Sequence, residues 1–383
     1  MDEKAVAKLK LGPLPRFTTI GPAELANIMD ALGRPLSGYL GGIRRGGYWI
    51  ERLAGEWSEK FQIKHSIPCN SATSGLLAAC MAVGIGPGDP VWVSNYTMSA
   101  TAACAKVLGA DVRFVDIESG HLQLNPYELL GQPNKPFPKA VIVTNLHGHP
   151  ARLREIRGWC NKHSVWMIED NAQSPMAQEH GRFAGTVGHI GVFSLNVHKH
   201  IQCGEGGVIV TDSDTLADKL QDAINHGELA EYGPGLNLRM AEVTAAIACS
   251  QLSRASQYIS GRIALAQAMD NMIEGIDWIR RPMERFDCRH VYYMWCPMID
   301  MQRKQRFIFL AGQCGLPFGE SYPRMHKIFG SNEAFPTTDA VDARIATFEI
   351  CAYDPSEAQI KKMKDIVYWA AEGADGAQAQ KSG

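Results

Sequence analysis

The 383-residue sequence has no apolar run near the roughly 20 residues that cross a bilayer, and its charged start, Glu3-Lys4-Ala5-Val6-Ala7-Lys8, lacks an apolar signal core. A membrane-spanning helix is therefore not expected, and a cytoplasmic location is. Charge of one sign is also missing: 38 Lys and Arg stand against 40 Asp and Glu, a net charge of -2, so bulk electrostatic binding to nucleic acid has no basis. None of the ten cysteines forms a C-x-x-C pair, and Cys80, Cys104 and Cys249 sit inside apolar segments. That is the placement of buried thiols, not of disulfides or zinc ligands. There is no internal repeat. Low complexity is confined to residues 373–383, rich in Gly, Ala, Gln and Ser and expected to fray. What remains, with 45% hydrophobic and 20% charged residues, is a globular chain long enough for two domains.

From about residue 66 to 227, β-branched runs alternate with helical stretches, which predicts an α/β domain with a mostly parallel sheet covered by helices. Strands are expected at 90–93, 111–116, 140–144, 165–169, 190–194 and 207–211, and helices at 73–83, 100–108, 153–163 and 216–226. A long helix from 240 to about 273 leads into a region richer in Trp, Met and Pro. Short strands near 290–298 and 347–350, with helices at 304–314 and 356–371, read as a smaller C-terminal α+β domain. The division expected is 1–245 for the large domain and 246–383 for the small one. In such sheets ligands sit at the carboxyl ends of strands, so polar residues there are the first candidates.

Lys199 lies between two strands, before the turn Gly204-Glu205-Gly206-Gly207. Held away from water, its amine would lose its proton readily and act as a nucleophile; a loop lysine is more often a solvated surface residue. Asp170 ends an apolar strand. It serves either as a helix cap or as the carboxylate that keeps a cofactor's ring nitrogen protonated, as pyridoxal phosphate (PLP) requires. Asn70-Ser71-Ala72-Thr73-Ser74-Gly75 opens a helix with hydroxyls and free backbone N–H groups, either an ordinary capped helix or an anion pocket. Ser194 follows a strand and offers a further hydroxyl.

In this order the features resemble the fold-type I PLP enzymes, and specifically the DegT/DnrJ/EryC1/StrS family of sugar aminotransferases, from about Leu36 to Val367. The resemblance rests on residues 70–76, 84–89, 168–173, 194–199 with 204–207, and 235–240. It implies a seven-stranded, mostly parallel sheet in the large domain. It further implies that Lys199 carries PLP as a Schiff base and moves the proton, that Asp170 pairs with the pyridinium nitrogen, and that Gln173 lies near the phenolic oxygen. Thr73, Ser74 and Ser194 would bind the phosphate, and Asn237 would reach in from the second subunit of a homodimer. His147-Gly148 and His226-Gly227 also match family positions. The activity implied is amino transfer to a keto-sugar, nucleotide-linked in most of the family, from glutamate or glutamine.

Departures from the pattern bear on the substrate. Met98 stands where the family usually stacks an aromatic ring on PLP. The segment Tyr322-Pro323-Arg324-Met325-His326 replaces Pro-Leu-His, and Gly41 to Tyr48 is unusually basic and glycine-rich. Arg44, Arg45, Arg324 and His326 are therefore candidates for the substrate pocket, the arginines as anion forks, with surface solvation as the plainer role. His147, His149, His163, His198 and His200 fit no closed zinc spacing, and no metal is expected. Two other activities are compatible with the fold: a sugar dehydratase, disfavoured by Lys199 and by the absence of clustered cysteines, and a PLP-binding regulatory protein without turnover.

Overall fold

Unbroken apolar runs such as Ala140-Val141-Ile142-Val143 and Val208-Ile209-Val210 give this chain strands that are apolar on both faces, which requires helices on both sides of the sheet. The computed structural model describes residues 3–39, 46–131, 136–227, 233–320 and 322–379. The strands are β1 (His65–Cys69), β2 (Pro90–Ser94), β3 (Asp111–Val115), β4 (Ala140–Thr144), β5 (Trp166–Asp170), the two-residue β6 (Gln178–Glu179) and β7 (Arg182–Phe183), β8 (Ile190–Ser194) and β9 (Gly207–Thr211). Seven of them form one sheet in the order β1-β9-β8-β5-β4-β2-β3. All pairings are parallel except those of β9 with β1 and β8, so β9 alone runs against the other six. The expected α/β, mostly parallel sheet is observed.

The helices are α1 (Glu3–Leu9), α2 (Pro22–Leu32), α3 (Tyr48–Phe61), α4 (Ala72–Ala82), α5 (Ala100–Lys106), α6 (Pro126–Leu130), α7 (Leu153–His163), α8 (Asp214–Ile224), α9 (Glu242–Met272), α10 (Met301–Gln313), α11 (Met325–Ile328), α12 (Pro336–Asp342) and α13 (Glu357–Ala379). One face of the sheet, with Ile142, Ile168, Ile190, Val192 and Ile209, packs on α4, α5 and α8. The other, with Val143, Met167, Phe193 and Val208, packs on α3, α7 and the first half of α9. Because side chains alternate along a strand, Thr144, Asp170 and Ser194 fall on the α4/α5 face at the carboxyl ends of β4, β5 and β8.

The smaller core joins the second half of α9 to α10 and α13, including Leu265, Met269, Phe307, Leu310, Ile366 and Ala370. Beside it β10 (Ile279–Arg280) pairs with β12 (Met298–Ile299), while β11 (Cys288–Arg289) pairs with β6. The strands expected at 290–298 and 347–350 are mostly isolated bridges, Trp295 to Phe348 and Met298 to Ile345, because Pro297 interrupts the ladder. The expected division at 245/246 can be placed on the fold. It falls inside the continuous α9, whose side chains pass from the large core at Ile259 to the small one at Leu265. At the other end, Leu11 joins the small core, and its N–H donates to the Cys314 carbonyl at 2.7 Å. The stretch beyond 373 is helical to Ala379, where fraying was expected, and is pinned by Asp375, which accepts from Arg303 Nε at 2.6 Å and Trp278 Nε1 at 3.1 Å.

Candidate active site

The start of α4, where the sequence offered an anion pocket, is shaped by backbone geometry. Ser71 caps α4, its hydroxyl accepting the Ser74 N–H at 3.1 Å, while the Ser71 and Ser74 hydroxyls bond at 2.9 Å. Strand β9 begins against this cap at Gly207, where a Cβ would lie 2.7 Å from the Ala72 nitrogen, so only glycine allows the approach. Ser194 pairs with Gly207 in register, and its hydroxyl accepts the Asn196 N–H at 3.3 Å. Thr73 is exposed and Ser74 half-buried at the same turn.

Asp170 is buried, 5% exposed, at the end of β5. Its Oδ2 accepts from Thr101 Oγ1 at 2.6 Å and its Oδ1 from the Ala172 N–H at 3.1 Å. Thr101 in turn bonds Thr97 at 3.1 Å, and Thr97 bonds Thr144 at 2.9 Å, all with buried hydroxyls. An ionised carboxylate only accepts, so the chain has one direction: Thr144 donates to Thr97, Thr97 to Thr101, and Thr101 to Asp170. Burial raises the Asp170 pKa above the usual carboxylate value, against the Thr101 bond, the Ala172 N–H and the charge of Lys199.

Lys199 follows β8 in a loop whose turn is closed by its N–H to the Asn196 carbonyl at 2.9 Å. Its Nζ sits 4.2 Å from the centre of the Tyr293 ring. Burial lowers its pKa from 10.5 to about 8, with Asp170 opposing that fall. Tyr293 is placed from the small-domain side. Val291 and Tyr293 donate their N–H groups to the carbonyls of Gly148 and His147, both at 2.9 Å, and His200 Nε2 donates to the Val291 carbonyl at 2.8 Å. Gly148 makes this docking possible, since at φ 101° a Cβ there would lie 2.5 Å from the Tyr292 nitrogen.

Gln173 is fixed from both ends: its Oε1 accepts the His147 N–H at 2.8 Å and its Nε2 donates to the Tyr322 hydroxyl at 3.0 Å. His147 stacks on Tyr322 with ring centres 5.7 Å apart. Neither of its ring nitrogens has a partner. Burial, helped by the Lys199 charge, drops its pKa to about 3, so the imidazole is neutral. Beside these two rings opens a cavity of about 380 Å³, lined also by Phe318, Glu320, Thr347 and Glu349.

The remaining predicted residues divide. Met98 is 48% exposed between Thr97 and Thr101 at the start of α5. Asn237 is exposed, bridged to Asn225. Arg324 is not free to grip an anion, because its guanidinium is spent on Asp339 at 2.5 Å and Asp342 at 2.7 Å. His326 is not in the cavity either: its N–H and Nδ1 both bond Asn95 Oδ1, at 2.9 and 3.0 Å, under the loop after β2. Arg44 and Arg45 lie outside the described residues. The threonine chain, Tyr293 and Tyr322 were not singled out from sequence; a Thr spaced four residues from another at a helix start is the one local signal for the chain.

The model of the DegT/DnrJ/EryC1/StrS aminotransferase family matches residues 40–351. The chain belongs to this family. Among the curated relatives of this aminotransferase, GDP-perosamine synthase of Vibrio cholerae is 30% identical over 261 residues, 67% of this chain and 71% of the relative. A dTDP-3-amino-3,4,6-trideoxy-alpha-D-glucose transaminase of Streptomyces venezuelae is 29% identical over 250 residues, 64% of this chain and 66% of the relative. The crystal structure of DesV of S. venezuelae, in complex with a ketimine intermediate, superposes with a TM-score of 0.81 at 25% identity, covering 91% of this chain and 94% of that one.

Proposed function

We propose that this aminotransferase uses PLP to convert a nucleotide-linked keto-sugar to an amino-sugar, with glutamate or glutamine as amino donor. The observation that carries the reading is the pairing of a lysine whose amine burial has lowered to about 8 with a buried strand-end carboxylate that still has accepting capacity. A carboxylate offers about four lone-pair sites, and Asp170 uses two, leaving room for a pyridinium N–H. PLP fits the remaining groups too: the α4 first turn with Ser74 and Ser194 would hold its phosphate, and Gln173 would face its phenolic oxygen. When bound, PLP supplies the electron sink that acidifies the donor's C–H bond.

The chain's own groups do the rest. At pH 7 the lowered pKa leaves the free amine of Lys199 roughly 300-fold more abundant than in an exposed lysine, which suits it both to attach the cofactor and to carry a proton. Tyr322 and His147 line the cavity in which a sugar would sit, and the carboxylates of Glu320 and Glu349 can accept from its hydroxyls. Asn237 and the neighbouring Leu236, 45% exposed, present a surface suited to a second copy, which supports a homodimer with shared sites. The ten free thiols suit a reducing, cytoplasmic setting.

The test is an assay with PLP, glutamate and a nucleotide-linked keto-sugar, following release of the keto acid and the mass of the sugar. An amino-sugar retaining its other hydroxyls is expected, with Lys199→Ala reducing turnover by about 100 to 10,000-fold. A dehydrated sugar, or a spectral change without keto acid, would overturn the reading.

A further inference from the structure

A cleft of about 780 Å³ lies at the other end of the sheet, around the start of β5 at Trp166 and the end of β9 at Thr211. That volume is in the range of small-molecule sites. Three arginines line it: Arg154 and Arg157, one turn apart on α7, and Arg182 of β7. Among the described residues none of the three pairs with a carboxylate, whereas nearby Arg152 and Arg285 are paired with Glu118 and Glu179. Arg157 Nη1 is buried with no partner at all. An orphaned buried donor is costly unless something supplies an acceptor.

A fourth donor faces the same space. His189 Nδ1 accepts the Met167 N–H at 2.9 Å, so its ring proton is on Nε2. Burial lowers the pKa of that imidazole to about 4, so it is neutral at pH 7, and its ring meets Trp166 edge-on at 4.9 Å. The two acidic residues in the lining are engaged elsewhere. Glu179 accepts from Arg285 Nη2 at 2.7 Å and the Arg154 N–H at 2.8 Å, and Asp212 accepts the Lys64 N–H at 3.0 Å. Arg182 Nη2 also donates to the Thr186 carbonyl at 3.2 Å, but three guanidinium forks without a carboxylate partner among the described residues exceed what a single carboxylate can use and match an anion with several oxygens on adjoining phosphorus centres.

We propose that this cleft is a second binding site, for a diphosphate-bearing small molecule, separate from the lysine site and independent of the transamination reading. Free pyrophosphate and a nucleoside diphosphate share that chemistry. Calorimetric titration of the PLP-loaded protein with inorganic pyrophosphate, and separately with GDP, tests it. Saturable binding is expected, weakened about tenfold or more by Arg157→Gln and again by Arg182→Gln, the scale of a lost charge-assisted hydrogen bond. Melting temperature and transamination should be unchanged in both variants. Tighter binding of GDP would assign the site to a nucleoside diphosphate; equal affinity would assign it to the anion alone. No saturable binding by the wild type at millimolar pyrophosphate, or an affinity unmoved in the double variant, would overturn the site.

Discussion

Replacing Lys199 by Met should stabilise the cofactor-free protein at neutral pH and lose that advantage in alkali. The fall from 10.5 to about 8 means that keeping the ammonium in the folded state costs about 3 kcal/mol relative to water. The sign follows from where the proton sits. Below pH 8 both folded and unfolded chains carry the charge, and the folded state bears the whole cost. Between 8 and 10.5 the unfolded chain still holds a proton that the folded one has released, so the contribution of this group to stability rises with pH. Urea titrations of wild type and Lys199→Met at pH 7 and pH 10 read this as a difference. Using the difference cancels the buried thiols and phenols, such as Cys203 and Tyr293, which titrate in both proteins. The stability gap, variant minus wild type, should shrink by about 2.5 kcal/mol from pH 7 to pH 10. Whatever packing the methionine gains or loses shifts both values equally. A gap independent of pH, or one that widens in alkali, would refute the lowered amine and with it the argument that Lys199 is poised as a base.

Thr101→Val removes the 2.6 Å bond to Asp170, so the Asp170 pKa should climb further and the acid limb of the kcat/KM profile should move to higher pH. Turnover should fall about 10- to 100-fold, with Thr101→Ser restoring most of it. Arg285→Met leaves Glu179 buried without its 2.7 Å partner, and should cost about 3 to 5 kcal/mol in urea titrations at pH 7. Arg324→Ala should leave KM for the sugar within about twofold and stability within about 1 kcal/mol, because Arg324 is held in exposed pairs with Asp339 and Asp342; a tenfold rise in KM would restore it as an anion clamp.

The sheet was legible where strands are short apolar runs between turn residues. Ala140–Thr144, Ile190–Ser194 and Gly207–Thr211 have the bounds expected, as does the helix Leu153–His163. The strand His65–Cys69 was not singled out; its Pro68 is tolerated because β1 forms the sheet edge and pairs only with β9. Local motifs also placed Lys199, Asp170 and Ser194 together, since each ends or follows a strand of one sheet. What local sequence does not encode is partnership across the chain. The fate of Arg324 depends on a helix beginning at Pro336, and that of His326 on Asn95, 231 residues earlier. A guanidinium looks equally available for substrate in sequence whether or not two carboxylates fold onto it.

The threonine chain explains why a site built on a buried carboxylate and a half-buried ammonium keeps its electrostatic order. Burial pushes the Lys199 and Asp170 pKa values toward each other, lowering the amine and raising the carboxyl. Unopposed, that convergence would favour a proton passing from ammonium to carboxylate, leaving two neutral groups and no anion for a ring N–H. The Thr101 hydroxyl opposes it on the carboxylate side only, and it is held in the donating sense by Thr97 and Thr144 behind it. On the lysine side the neighbour is the Tyr293 ring, whose face attracts a cation without accepting its proton. On the proposed reading Asp170 is thus kept as the acceptor while Lys199 remains free to give and take protons, and this asymmetry needs two elements far apart in sequence, α5 and the segment that docks on Gly148.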